Sequence, residues 1–106
     1  MDRADKTLHE MANMIEEETL PVTLEESWAE ASDSFEAVSR IWMDHKRAYI
    51  LFTNSEAVAE AEYTFHRVRA FLAAEDKANA SGELAYLRRQ LLFLHEYEIL
   101  SLENII

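Results

Sequence analysis

The chain has no cysteine and only one glycine and one proline among its 106 residues. Without cysteine, the chain forms no disulfide framework, no thiolate metal site and no thiol nucleophile. A β-sandwich or β-barrel needs a reversal after every short strand, and glycine and proline are common in such reversals. Their near absence argues against the all-β classes and favours a helical protein.

Basic residues and long apolar runs are also scarce. The chain carries 10 basic residues against 21 acidic ones, a net charge of −11, which opposes binding to the phosphate backbone of nucleic acids. Runs of large apolar residues, such as residues 49–52 and 91–94, are far shorter than the roughly 20 residues that span a membrane. We therefore expect a soluble chain with no nucleic-acid partner.

Apolar residues recur at spacings of three and four in four blocks, which predicts four amphipathic helices. The first block contains Leu8, Met11 and Ile15. Proline disfavours the helical conformation in the residue before it. The first helix is therefore predicted to end near Thr19, just before Pro21.

Capping patterns predict where the later helices begin. Thr23 with Glu26 predicts the start of the second helix. The third helix follows one of two caps, Thr53 paired with Glu56 or Asn54 alone, and the fourth follows a break over residues 76–82 that contains several candidate caps. The residues predicted to face the core are Trp28, Ala31, Phe35, Val38, Trp42, His45, Tyr49 and Phe52 in the second helix, Val58, Ala61, Phe65, Val68 and Leu72 in the third, and Leu84, Leu87, Leu91, Leu94, Ile99 and Leu102 in the fourth.

Short connections make consecutive helices antiparallel neighbours. The predicted fold is therefore all-α, a single helical-bundle domain over residues 1–106 with an antiparallel up-down-up-down four-helix arrangement. The alternative is a three-helix bundle with the first helix loosely docked or swapped onto another chain, because that helix has the thinnest apolar stripe.

Motifs for metal binding and catalysis are missing from the sequence. Di-iron bundles need a glutamate three residues before a histidine, but the residues three before the four histidines are Lys6, Trp42, Tyr63 and Leu92. Nucleophile turns and phosphate-binding loops need glycines that this chain does not have. We therefore predict no metal, no cofactor and no catalytic residue.

Aromatic residues are concentrated around His45 on the second helix. Trp42 and Tyr49 share its seam, and such a group can wall a pocket for a small apolar ligand. Filling the core is the commoner role for these residue types. Trp42, His45 and Tyr49 are therefore candidates for a ligand pocket in a small-molecule sensor or carrier, as the alternative to core packing.

The last part of the chain, from Ala61 onward, contains several motifs in a recognisable order. They are Glu62 and Arg67 in the third helix, Asp76-Lys77 at the break, residues 83–87, residues 92–96 and, above all, the terminal residues 100–106. In these residues the sequence resembles an uncharacterised bacterial family, domain of unknown function 4363, found mainly in Firmicutes.

The resemblance implies a location and brings no activity. Members of that family typically begin with one hydrophobic anchor helix, followed by a short helical domain outside the cytoplasm. No anchor precedes Asp2 here, so we expect Met1 to follow a removed anchor, which would place the domain at the extracytoplasmic face of the bacterial cell membrane. Glu62 and Arg67 are five residues apart and do not stack on one helical face, which predicts two separate structural or partner contacts.

These observations lead to a main functional hypothesis, beside the alternative of a small-molecule sensor or carrier. The domain is expected to be non-enzymatic and to act by binding another protein, either a membrane protein or a second copy of itself as a homodimer. Residues 1–33 carry ten acidic and two basic side chains, which predicts a solvated acidic surface at that end of the protein or, as the alternative, a docking face for a basic partner.

Overall fold

The computed structural model describes the backbone of residues 2–105 and the side chains of residues 6–103. This part of the chain is all-helical and contains no strand. The first helical segment is composite, with α1 (Asp2–Met14), a π-helical turn (Ile15–Thr19) and α2 (Leu20–Leu24) in unbroken succession, and we call it the first arm. Three long helices follow: α3 (Trp28–Phe52), α4 (Ser55–Ala73) and α5 (Lys77–Ile105).

The predicted end of the first helix near Thr19 is wrong, because the helix continues through Pro21. Proline has no N–H, and in an α-helix its ring clashes with the carbonyl four residues earlier. The π-helical turn lengthens the hydrogen-bonding step just before the proline, where the N–H of Leu20 donates to the carbonyl of Ile15. Pro21 then lies in the first turn of α2, where a missing N–H is tolerated.

The predicted capping box at Thr23 is also wrong. The hydroxyl of Thr23 donates to the carbonyl of Thr19 over 2.7 Å, so Thr23 is an interior residue of the first arm. The arm ends with Glu26 in the left-handed region at φ 61° and with the N–H of Ser27 bonded to the carbonyl of Val22 over 2.9 Å. This is the Schellman arrangement that closes many helices, and α3 starts after it.

The starts of α4 and α5 agree with the sequence. Asn54 caps α4, because its side-chain oxygen accepts from the N–H groups of Glu56 and Ala57 at 2.8 and 3.1 Å. The alternative cap Thr53 instead donates its hydroxyl to the carbonyl of Tyr49. Asp76 caps α5 by accepting from the N–H of Asn79 over 3.1 Å, so the helix begins at the start of the predicted break over residues 76–82.

The core is lined by all four helical segments. The first arm and α4 each pack against both α3 and α5, in a body of 46 × 22 × 19 Å. This arrangement is consistent with a four-helix bundle. Because Leu8, Met11 and Ile15 of the first arm are each 0% exposed, that arm is part of the core and is not loosely docked. The buried apolar residues are Leu8, Met11, Ala12, Ile15, Ala31, Phe35, Val38, Trp42, Tyr49, Val58, Ala61, Phe65, Val68, Leu72, Ala80, Leu84, Leu87, Leu91 and Leu94.

The predicted core is correct at its centre and less accurate at its ends. All five residues predicted for α4 are buried, whereas Trp28, His45 and Phe52 of α3 are half-buried. Among the described side chains of α5, the last fully buried position belongs to Glu98, which is 0% exposed, while Ile99 and Leu102 are half-buried. The spacing of 84, 87, 91 and 94 reaches 98 at its next step, so the pattern itself pointed to that position.

Candidate functional site

Two of the three predicted pocket residues, Trp42 and Tyr49, are packed into the core. Their side chains are 2% and 0% exposed, and their ring centroids lie 5.4 Å apart. The Trp42 ring also lies 5.1 Å from that of Phe65. The two residues mainly fill space between α3 and the neighbouring helices. Only the edge of the Trp42 ring borders a cleft.

His45, the third predicted pocket residue, is half-buried one turn before Tyr49. Its ring is stacked with that of Tyr49 at 6.5 Å between centroids. Its Nδ1 lies 3.0 Å from the carbonyl oxygen of Ile41. A carbonyl can only accept, so Nδ1 carries the proton and the histidine is tied back to its own helix.

A cleft of about 250 Å³ runs beside Trp42 between α3 and α4. Its volume is below the roughly 300–1,000 Å³ of ordinary small-molecule sites, and ion pairs between the two helices form much of its wall. Lys46 contacts Glu62 at 2.5 Å. The cleft is lined by Ser39, Trp42, Met43, Lys46, Glu62, Phe65, His66 and Arg69.

Arg69 is one of the residues that line this cleft. It holds both carboxylate oxygens of Glu36 at 2.9 and 3.2 Å and donates to the hydroxyl of Ser39 over 3.0 Å. It also lies over the ring of Phe35, 5.5 Å from the centroid. This bidentate pair with an aromatic contact uses the geometry that distinguishes arginine from lysine.

Both carboxylates of the α3–α4 contact are held in the ionised form. The hydrogen bond from Arg69 lowers the pKa of Glu36. The hydrogen bond from Lys46 lowers the pKa of Glu62, with smaller contributions from the nearby indole N–H of Trp42 and from His66. A general acid or base works best with a pKa near the operating pH, so these shifts suit structural ion pairs.

The two residues taken from the family resemblance, Glu62 and Arg67, lie in different interhelical contacts. Glu62 faces α3 through Lys46. Arg67 instead donates to Glu83 of α5 over 3.0 Å and to the hydroxyl of Thr64 over 3.0 Å. They share no ligand-facing surface, and each joins a different pair of helices.

Among the described side chains, no group of three or more histidine, aspartate or glutamate residues is placed to hold a metal ion. His9 on α1 and His95 on α5 have ring centroids 5.4 Å apart, but no third ligand of this kind joins them among the described residues. Tyr49 also has a shifted pKa. Burial is the main cause that raises the pKa of its phenol to about 12, and the negative charges of Glu98 and Glu10 contribute to the rise.

A solvent-exposed apolar surface lies on the outer side of α5, and it was not predicted from the sequence. Tyr86, Phe93, Tyr97 and Leu100 are 52%, 54%, 36% and 61% exposed. Their spacings of seven, four and three residues place them on one helical face, opposite the face that carries Leu84, Leu87, Leu91 and Leu94. We call these four residues the α5 outer stripe.

Phe93 forms a ridge between two shallow grooves. One groove of about 350 Å³ separates α5 from α4 and is lined by Ala57, Glu60, Tyr86, Arg89, Gln90 and Phe93. The other, of about 320 Å³, follows α5 and is lined by Arg88, Arg89, Leu92, Phe93 and Glu96. Phe93 also meets Tyr97 edge-on at 5.9 Å, so the ridge is continuous along the helix.

Comparison of the sequence with known protein families assigns the chain to one of them. A sequence model of the family described as "Domain of unknown function (DUF4363)" matches residues 2–105, and the chain belongs to that family. No curated protein and no solved structure matches the chain. Among residues 2–105, no helix combines the length and the hydrophobicity needed to cross a membrane.

Proposed function

We propose that this member of the family is a non-enzymatic helical domain that binds another protein through the α5 outer stripe. The observation that carries the proposal is the grouping of four large, exposed apolar side chains on one face of α5. Single exposed apolar residues are common on soluble proteins, whereas a contiguous apolar surface with a polar rim is typical of a protein contact. Arg89, Gln90 and Glu96 supply that rim.

The state of the carboxylates supports a non-enzymatic role. Glu36 and Glu62, the acidic residues beside the α3–α4 cleft, have pKa values lowered by their cationic neighbours. Each therefore remains ionised near neutral pH, where it can neither donate a proton nor readily accept one. A binding role requires no change in the protonation of these two carboxylates.

We further propose an antiparallel up-down-up-down topology and a position at the extracytoplasmic face of a bacterial cell membrane, attached through an anchor before Met1. The topology is supported by the short connections between α2 and α3, between α3 and α4, and between α4 and α5.

The location is supported by the family pattern of an anchor helix followed by a helical domain. Alkaline phosphatase, which is active only outside the cytoplasm, should be active when fused to the complete gene product, and an inactive, intact fusion would contradict the location.

Site-specific photo-crosslinking in the native host tests the binding role. A photoreactive amino acid replaces Phe93 of the stripe in one variant and Tyr63 of α4 in the control. The two sites are 54% and 60% exposed, so they are matched for access. We expect a discrete protein adduct from position 93 and none from position 63. No adduct from position 93, or equal adducts from both positions, would refute the binding role of the stripe.

A small apolar ligand in the cleft beside Trp42, His45 and Tyr49 is the second candidate function. The observation that favours it is the cleft of about 250 Å³ against the edge of Trp42. A ligand that binds only the folded state raises the melting temperature by mass action. A thermal-shift screen of small aromatic compounds should therefore give hits that are lost in the Trp42→Leu variant, and a flat screen would remove this candidate.

A further inference from the structure

We infer that the partner of the α5 outer stripe is the same stripe of a second copy of the chain, paired antiparallel around a two-fold axis at Phe93. The inference rests on the proposed binding role of the stripe and names its partner. It follows from two features of α5, the positions of the apolar residues and the order of the charges beside them.

Three of the four apolar residues are arranged symmetrically along the helix. Tyr86 and Leu100 lie seven residues before and after Phe93, and the stripe between them is about 21 Å long at 1.5 Å per residue. An antiparallel pairing centred on Phe93 brings the two Phe93 rings together and places Tyr86 opposite Leu100 of the second copy. Phe93, Tyr86 and Leu100 then meet apolar groups, as a two-fold contact requires, and Tyr97 lies opposite position 89 of the second copy.

The charges on one edge of the stripe are self-complementary in this arrangement. Arg89 lies one turn before Phe93, and Glu96 lies about one turn after it. Because both flank the same side of Phe93 and line the same groove, they belong to one edge. Antiparallel pairing of two helices brings identical edges together, so Arg89 of each copy approaches Glu96 of the other.

Neither charge is already engaged in an ion pair within the described part of the chain. Both side chains are exposed. They are seven residues apart, about 10 Å along the axis, which is beyond the three- or four-residue spacing at which side chains on one helix pair. A second copy supplies each with an opposite charge that its own helix does not provide.

A parallel pairing lacks this match. It sets this edge of one copy against the opposite edge of the other, where Gln90 and Glu83 lie. Glu83 is already bound to Arg67 at 3.0 Å. The order of charges therefore favours the antiparallel arrangement over the parallel one.

The size of the stripe sets the expected strength. Four side chains that are about half exposed offer on the order of 400 Å² per copy, and the flanking polar residues bring the total buried by both copies to roughly 1,000 Å². This is the low end for a specific contact. With a net charge of −11 on each copy adding repulsion, we expect a reversible dimer with a Kd of about 10–500 µM.

Sedimentation equilibrium of the purified chain over a range of concentrations tests the pairing. Phe93→Asp should weaken the dimer at least about tenfold, because it places two carboxylates at the two-fold axis. The matched control Tyr63→Asp, on α4, should leave the Kd within about twofold of the wild-type value. Circular dichroism and a melting curve establish that each variant is folded.

Charge reversal tests the antiparallel register. R89E and E96R each create two like-charge contacts per dimer and should weaken it by at least about threefold. The double variant R89E/E96R restores opposite charges across the axis and should return the Kd to within about twofold of wild type. A partner other than a second copy would not show this rescue.

Three results would overturn the pairing: a wild-type chain that stays monomeric up to about 1 mM, single reversals without effect, or a double variant that is not rescued. The crosslink from position 93 separates this failure from that of the proposed function. An adduct only with a different protein keeps the binding role and overturns the second copy, whereas the absence of any adduct refutes both.

Discussion

Helix α3 contacts its two neighbours through different chemistry. Towards the first arm it uses pairs of neutral hydroxyls, Tyr49 with Thr7 and Ser34 with Thr19, each with 2.6 Å between oxygens. We call this contact the hydroxyl seam. Towards α4 it uses charged pairs, Lys46 with Glu62 and Glu36 with Arg69, and we call that contact the ionic seam.

Burial explains the difference between the seams. Tyr49 and Thr19 are 0% exposed, whereas the side chains of the Lys46–Glu62 pair are 31% and 33% exposed. A neutral hydroxyl that forms one hydrogen bond can be buried at little cost, while an ion loses several kcal/mol of hydration. One helix therefore carries hydroxyls where it is covered and charges where water still reaches. The two seams should consequently fail at opposite ends of the pH scale.

The largest expected effect is a loss of stability in alkali through the hydroxyl seam. Burial raises the pKa of Tyr49 from its ordinary value of 10.0 to about 12. A group whose folded pKa is raised contributes stability below its unfolded pKa and loses that contribution as the pH rises to its folded pKa. Between pH 10 and pH 12, Tyr49 should therefore cost about 2–3 kcal/mol of unfolding free energy.

Urea unfolding at a series of pH values measures this alkaline loss. Tyr49→Phe has no phenol at this site to ionise, so its stability should fall less steeply with pH than that of the wild type. Equal slopes for the two proteins between pH 10 and pH 12 would show that Tyr49 does not govern the alkaline loss.

At neutral pH, the bond between Tyr49 and Thr7 should be worth less than its alkaline effect. Tyr49→Phe and Thr7→Val each remove one partner of a buried hydrogen bond and should each cost about 1–2 kcal/mol. The double variant should cost less than the sum of the two, with a coupling of about 1 kcal/mol. Tyr63→Phe, at an exposed tyrosine, should change stability by less than about 0.5 kcal/mol, and additive costs in the double variant would contradict the bond.

The sequence was sufficient for α4 because the local signals of this helix agree with one another. In α4, the cap at Asn54 and the regular spacing of Val58, Ala61 and Phe65 indicate the same start and the same buried face. No feature of α4 requires a partner to be known. Its predicted core residues are accordingly all buried.

The first arm was mispredicted because tertiary packing overrides two local signals. Pro21 and Thr23 favour a break when considered alone. The arm nevertheless buries residues before and after the proline, with Ile15, Thr19 and Thr23 all 0% exposed. A break at Thr19 would place these on separate segments, and a π-helical turn keeps them on one buried face.

The α5 outer stripe escaped sequence analysis for a different reason. The spacing of Leu84, Leu87, Leu91 and Leu94 predicted the buried face of α5, but it does not indicate whether the other apolar residues of the helix are covered by a neighbour. Only the structure shows that Phe93, within the apolar run 91–94, is 54% exposed. Trp42 and Tyr49 posed the converse problem, because an aromatic seam has the same pattern whether it lines a pocket or fills a core.

Two substitutions outside both seams provide a pH-independent reference for the comparison. Glu75 ends α4 in the left-handed region at φ 55°, a conformation that costs most residues about 1–2 kcal/mol and glycine almost nothing. Gly82 lies inside α5, and a Cβ added there would meet nothing within 4 Å. Glu75→Gly and Gly82→Ala should each stabilise the fold by about 0.5–1 kcal/mol.

These gains should be the same at neutral and alkaline pH, in contrast to the effect of Tyr49→Phe. Thermal or urea unfolding of each variant at both pH values measures them. Glu75 is the cleaner of the two left-handed glutamates, because Glu26 also pairs with Lys77 at 3.4 Å. A loss of stability in Glu75→Gly would show that the glutamate side chain contributes more than its backbone strain costs.

The smallest expected effect belongs to the ionic seam, because its charges are partly hydrated. A double-mutant cycle with Lys46→Met and Glu62→Gln should give a coupling of about 0.2–1 kcal/mol at neutral pH. Glutamine keeps an oxygen near the indole N–H of Trp42, so the cycle isolates the charge. High salt should reduce the coupling.

Acid should remove the same coupling. The folded pKa of Glu62 is lowered by Lys46, so its contribution is present above the unfolded value of 4.5 and disappears as the pH falls through the folded value. The hydroxyl seam has no charge to lose there, so the coupling between Tyr49 and Thr7 should persist in acid while that between Lys46 and Glu62 vanishes. If both couplings disappeared together on acidification, the two faces of α3 would be one cooperative contact and the distinction between the seams would fail.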